Sequence, residues 1–131
     1  MKTRTLSWWR KKTHTDYKKM IRLVNSDEYG YGECITCGAR KHYKEAHAGH
    51  FRHRLDFIFR NYHFQCPYCN LYKSGNEVEY TIFMLDRYGR ECVDDLRSRK
   101  TYQYKIYHYE IMRKAIRKMI KKLEKEKDYE I

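Results

Sequence analysis

Two Cys-x-x-Cys pairs, Cys34/Cys37 and Cys66/Cys69, stand with 28 residues between them. Each pair can present two thiolates from one tight turn, and two such knuckles make a tetrahedral Cys₄ set suited to zinc. Four thiolates close the zinc shell and leave no position for water, so that ion would be structural. Hydrolytic chemistry would have to come from the residues around the pairs. His50 lies between them, Asn61 stands five residues before the second pair, and Asn70 follows it directly. An imidazole with an ordinary pKa near ~6.5 can take a proton at neutral pH. The Asn61 carboxamide both donates and accepts, so it could orient His50 or the adjoining backbone. Asn70 offers a hard carbonyl oxygen suited to Mg²⁺ or Mn²⁺. A base, a brace and a cation are what phosphodiester hydrolysis needs. His47 is a further candidate ligand of the catalytic ion, with a plain surface role as its alternative. His53 and His63 lie close by. Arg52, Arg54, Arg60 and Lys73 are candidate phosphate contacts.

The charge balance fits such a partner. The chain carries 29 Lys and Arg against 17 acids, a net +12 that draws polyanions toward it. Fourteen tyrosines and two tryptophans are interleaved with the cations, a mixture suited to stacking on unpaired bases while neutralising phosphates. A nucleic acid is therefore the expected partner. No apolar run approaches the roughly 18 residues a membrane span needs. The stretch from Met1 to Trp9 is too short in apolar length for a secretory signal. Paired cysteines then read as zinc ligands in a reducing cytoplasm rather than as disulfides of a secreted protein. Cys92, outside both pairs, reads as a small buried hydrophobe.

The elements that must position these residues can be read from periodicity. A basic helix is expected over 7–24, with Trp9, Thr13, Tyr17, Met20, Ile21 and Val24 on its apolar face. Tyr29 to Gly32 breaks it. The stretch 33–76 reads as a two-stranded ribbon held by the cysteines, with Asn70 opening a short helix. A helical region over 77–127 should begin with an Asn76/Glu79 capping box and carry Val78, Ile82 and Leu85 as a stripe ending near Gly89. A short helix over 91–97 is expected next. Last comes a long helix whose Ile106, Tyr109, Met112, Ile116, Met119 and Leu123 form either a core face or an oligomer seam. The tail Glu130-Ile131 is expected to fray. At least one of Trp8 and Trp9 should pack in the core.

The order cysteine pair, His50, Asn61, cysteine pair, Asn70 resembles a His–Asn–Asn version of the ββα-metal (HNH) nuclease site. More specifically, several stretches together resemble the NinG (Rap) family of lambdoid phage recombination nucleases. They are Cys34-Ile-Thr-Cys37-Gly, Ala48-Gly-His50-Phe51, Asn61 through Asn70, and Ser74-Gly-Asn76 with a helix ending at Tyr88-Gly89. The resemblance covers roughly residues 33–97 and implies metal-dependent action on branched DNA such as Holliday junctions and D-loops. The cysteine–histidine–cysteine–asparagine order is also similar to phage endonuclease VII resolvases, which are dimers. One departure is specific: the family pattern has Asp-Ala-Gly-His where this chain has His47-Ala-Gly-His50. A neutral imidazole in place of a carboxylate shifts preference toward softer ions.

The expectation is a single α+β, mostly helical domain, with an HNH-like ββα-metal core on a Cys₄ zinc and flanking terminal helices. Its expected function is a structure-selective endonuclease for branched DNA, acting as a homodimer through the 104–125 stripe. A general duplex-nicking HNH enzyme and a zinc-ribbon binding module without catalysis are the alternatives.

Overall fold

The computed structural model describes residues 3–127, so the expected fraying of Glu130-Ile131 lies outside the described residues. The chain is α+β and about 59 % helical, with two small antiparallel sheets. Helix α1 spans Leu6–Val24 and starts where Thr5 Oγ1 accepts the Trp8 N–H at 3.1 Å. Thr13, Tyr17, Ile21 and Leu23 are its buried residues, while Val24 is exposed. The expected face was one residue off at its end, because the packing partner crosses beneath Leu23. Trp8 and Trp9 are both half-buried and pack edge to face.

The expected single ribbon is two separate hairpins. Strands β1 (Tyr31–Glu33) and β2 (Arg40–His42) pair around the first cysteine knuckle. Strands β3 (His47–His50) and β4 (Tyr62–Gln65) pair with His47 opposite Gln65 and His50 opposite Tyr62. Gly49 has to be glycine here: a Cβ would come within 1.8 Å of Gln65 Oε1. The second knuckle leads into one helical turn, Tyr68–Tyr72. Asn70 sits inside that turn rather than opening a helix.

Helices α2 (Glu77–Tyr88) and α3 (Arg90–Ser98) meet at Gly89, whose φ of +86° is the left-handed stop its position suggests. The Asn76/Glu79 capping box does not form. Asn76 makes no side-chain cap, because its amide turns instead to Cys69 Sγ at 3.7 Å. Tyr80 and Met84 are the buried face of α2, against Leu55, Val93 and Leu96. Val78, Ile82 and Leu85 point outward.

Helix α4 (Ile106–Lys127) lies on α1, burying Tyr109, Ile116 and Ile120. Tyr17, Ile21, Leu23, Tyr62 and Phe64 complete that core. Its register on α1 is set by Arg113 and Arg117 on Asp16 (3.0 and 3.8 Å) and by Lys19 on Glu124 (3.1 Å). The stripe expected to be available as a dimer seam is thus consumed within the chain, and Met119 falls outside it, exposed.

A buried polar relay braces β3 from behind. Tyr80 Oη donates to the Gly49 carbonyl at 2.8 Å, so it must accept from His63 Nδ1–H at 2.9 Å. His63 Nε2 then accepts from the Tyr88 hydroxyl at 2.8 Å. Burial, with the Arg87 charge added, lowers the His63 pKa to about 4. An unfolded histidine titrates near 6.5, so the folded-state pKa is the lower one. Stability is complete above that value and is lost as pH falls from 6.5 toward 4. The ceiling on this loss is on the order of 3 kcal/mol. Urea unfolding at pH 7.5 and 4.5 should show it, and a His63→Gln variant should show a flatter dependence.

Candidate metal centre and hydrolytic site

The ligand sulfurs of Cys34, Cys37, Cys66 and Cys69 all lie within 4.8 Å of one another. Cys37 and Cys66 Sγ are 3.6 Å apart, close to the edge of about 3.8 Å that a tetrahedron of Zn–S bonds requires. The four cysteines could therefore hold a zinc ion. Each knuckle closes as a turn: the Gly38 N–H donates to Cys34 O at 2.8 Å, and Cys69 N–H donates to Cys66 Sγ at 3.4 Å. Donors of this kind, with Asn76 on Cys69, favour thiolate over thiol. Gly38, at φ +80°, supplies the turn the first knuckle needs.

The candidate hydrolytic residues surround β3, which this knuckle anchors through Cys66. His47 and His50 are three apart on one strand, so they emerge on opposite sides of it. At the first end, Asn70 Nδ2 lies 3.0 Å from His47 Nδ1. These two line a cavity of about 410 Å³ with Thr15, Lys18, Arg22 and Leu71. Gln65 Oε1, fully buried, has no hydrogen-bond partner among the described residues. Gln65 Oε1 and Asn70 Oδ1 both lie within 3.2 Å of the point a Gly49 Cβ would occupy. Rotating the Asn70 amide by 180° would turn its NH₂ toward that orphaned oxygen and let Asn70 accept from His47 Nδ1–H. His47 Nε2 would then carry a free lone pair for a cation.

At the other end, His50 Nε2 and His53 Nδ1 are 3.2 Å apart. If His50 donates in that contact, its Nδ1 holds the free lone pair. Burial first, then the charges of His53 and Lys18, lowers the His50 pKa, against a smaller upward pull from Asp56. His47 is lowered by burial and then by Arg22 and Lys18. Lys18 lines the cavities of both histidines and stands between them.

Asn61 does not touch the His50 ring. It is fully buried, accepts from Arg52 N–H at 2.8 Å, and donates to Arg52 O at 2.8 Å and Leu55 O at 3.1 Å. It therefore locks the backbone of the loop that leaves β3, the second of its two sequence-level roles. The candidate phosphate contacts separate in space. Arg54 lines the His50 cavity. The Arg52 guanidinium donates to the Leu96 carbonyl at 2.7 Å and to that of Arg97, tying down α3, and Arg52 also lines a second cavity of about 330 Å³ with His50 and His53. Arg60 lies over Tyr88 and Lys73 over Tyr68.

Sequence reasoning missed the contribution of α1. Arg10 and Asp56 pair at 2.8 Å, and His14 Nε2 meets the Tyr62 hydroxyl at 3.0 Å, in the same cavity as His50. Only the stacking of α1 over the β3–β4 hairpin reveals these residues. Their one local signal was the basic face of 7–24.

The arrangement defines a protein with a four-cysteine cluster that could hold a metal beside a histidine- and asparagine-lined hairpin, and comparison makes it specific. The family described as Bacteriophage Lambda NinG protein matches residues 1–126, and the chain belongs to the NinG family. It is 36 % identical over 97 residues to Protein ninG of Escherichia phage 933W and to that of Escherichia phage lambda. Protein ninG of Salmonella phage P22 is 35 % identical over the same length. These alignments cover 70 % of this chain and 45–46 % of the relatives, so the chain spans about half their length. No solved structure matches it. Among the described residues, no helix is long and apolar enough to cross a membrane.

Proposed function

We propose that this chain is a metal-dependent, HNH-type endodeoxyribonuclease that cuts branched DNA during phage recombination. The observation that carries the reading is Lys18, which borders two cavities beside β3, that of His47 with Asn70 and that of His50. The hairpin and following turn, with Asn61 bracing the loop, are in keeping with a ββα-metal site like those of endonuclease VII resolvases. The net charge of +12 supplies the attraction to DNA.

His47 Nε2 and the remaining lone pair of Asn70 Oδ1 would hold a divalent ion. When bound, that ion would polarise the scissile phosphate and stabilise the departing oxygen. His50 Nδ1 would take the proton of the attacking water, its depressed pKa keeping the ring neutral. Lys18 would hold a phosphate oxygen between the two ends. The imidazole at position 47 favours Mn²⁺ over Mg²⁺. A four-way junction presents two strands to cut, which a homodimer with two sites would serve through a surface other than the α4 stripe.

Labelled four-way junction and matched linear duplex, each with Mg²⁺, Mn²⁺ or no added ion, test the reading. Paired nicks in the junction alone, dependent on metal and faster with Mn²⁺, are expected. Equal cleavage of both substrates would replace it with a general duplex-nicking HNH enzyme. Tight binding without products in any metal would leave a zinc-ribbon binding module, with His47 the residue to revert to Asp.

A further inference from the structure

The cavity at His50 is larger than proton transfer requires, at about 630 Å³. Small-ligand sites run to roughly 300–1,000 Å³, so it is of a size for a nucleotide rather than for water alone. Three parts of the chain wall it: α1, the loop after β3, and the extended segment 101–104 between α3 and α4. That segment is pinned at Tyr104, whose ring packs edge to face on Phe57 at 5.4 Å and whose hydroxyl donates to Asp56 O at 3.3 Å. Tyr102 is not pinned in this way. It meets Tyr104 and His108 only at steep interplanar angles of 65° and 71°, and it remains 60 % exposed. A large aromatic surface is thus left open on a rigid cavity wall.

The charges around it differ in availability. Arg10 is neutralised by Asp56 at 2.8 Å. Lys18 and Arg54 line the same cavity and form no ion pair among the described residues. Two free cations and an open ring around one concave space have the chemistry of a nucleotide site. Paired bases in a duplex have their faces covered by neighbouring base pairs, whereas an unpaired base offers its face to a side chain.

We propose that this cavity is a subsite for an unpaired nucleotide. Tyr102 is the stacking platform, and Lys18 and Arg54 hold the flanking phosphates. The assignment deepens the nuclease reading and rests on it for its role: a strand seated there passes His50, so cleavage falls where a nucleotide is unpaired or is readily drawn out of its stack, as at a branch point.

The test reads binding, not cleavage. Zinc-loaded protein without added Mg²⁺ or Mn²⁺ is titrated with a short single strand carrying one 2-aminopurine, and with a duplex of the same sequence. Wild type should prefer the single strand and quench the probe. Tyr102→Ala should weaken single-strand binding about tenfold and abolish quenching, with duplex affinity unchanged. Tyr102→Phe, which keeps the ring, should behave as wild type. Lys18→Gln and Arg54→Gln should each reduce the salt slope by about one. Tyr102 is exposed, so its truncation spares the fold. Unchanged single-strand preference and quenching in Tyr102→Ala, or equal loss in the Phe variant, would overturn the subsite. A wild type that never cleaves but shows the Tyr102 dependence would overturn the nuclease reading and leave the subsite standing.

Discussion

Alanine in place of His50 should lower the rate of metal-dependent DNA cleavage by about 10²–10⁴-fold while leaving junction affinity within a factor of two or so. The loss is large because no neighbour can take over. His53 is exposed and touches His50 only edgewise through one nitrogen, and His14 is committed to the Tyr62 hydroxyl. Loss of turnover without loss of binding is what distinguishes a base from a phosphate contact, so both must be measured on one preparation. The pH profile of the wild type supplies a second readout. A base must be neutral to act, so the rate rises with pH and levels off above the His50 pKa. Burial first, then the coulombic effect of His53 and Lys18, lowers that pKa, so the plateau should be reached below the ordinary histidine value. Cleavage by His50→Ala at the wild-type rate would remove this residue from the mechanism.

The other large effect concerns the cysteines. Serine at Cys66 should release about one zinc per chain and unfold the domain, and strong chelators should do the same to the wild type. Zinc binding in small Cys-rich domains amounts to roughly 10–16 kcal/mol, against a total stability of roughly 5–15 kcal/mol for a domain. Beside the cluster, the two hairpins are joined by the Ile35 N–H on Phe64 O at 3.0 Å and by Gln65 Nε2 on Thr36 Oγ1 at 3.1 Å, each far weaker than a zinc site. Cys34, Cys66 and Cys69 form a core of their own with Ala39, separate from the α1–α4 core and from the α2–α3 core. Its loss frees the β1–β2 hairpin and also the turn that carries Asn70. Released zinc and the far-ultraviolet circular dichroism of Cys66→Ser decide the matter. A folded variant with no zinc bound would show the four cysteines to be ordinary thiols. Reductant alone should have no effect, because no disulfide is present among the described residues.

These two predictions were reached by different routes. The zinc set was legible in the sequence because a Cys-x-x-Cys knuckle is a local object. Its geometry comes from a four-residue turn and a left-handed Gly38, and only the pairing of two knuckles needs the fold. Helix α1, the Gly89 break and α4 were legible for the same reason, since caps and periodicity act over a few residues. Within the candidate hydrolytic site, the residues of the β3–β4 hairpin could be named from order alone. Asn61 could be named too, but not its partners.

What packing decided was everything that depends on which elements meet. The α4 stripe suits a dimer seam and a core face equally well, and what directs it onto α1 is the apolar face that α1 and the β3–β4 hairpin present to Ile116 and Ile120, with the ion pairs to Asp16 and Glu124 at its edges. Arg52 looks like a phosphate contact until the end of α3 arrives beside it and takes its guanidinium. Asn76 looks like a cap until Cys69 turns its sulfur toward it. Lys18 and Tyr102 lie 84 residues apart in sequence, in segments that share no motif. They come to one cavity because α1 covers the hairpin and the segment before α4 closes over the loop. A side chain's type and its local backbone were set by the sequence near it. Its partners, and therefore its chemistry, were set by the tertiary contacts that bury some groups and leave others free.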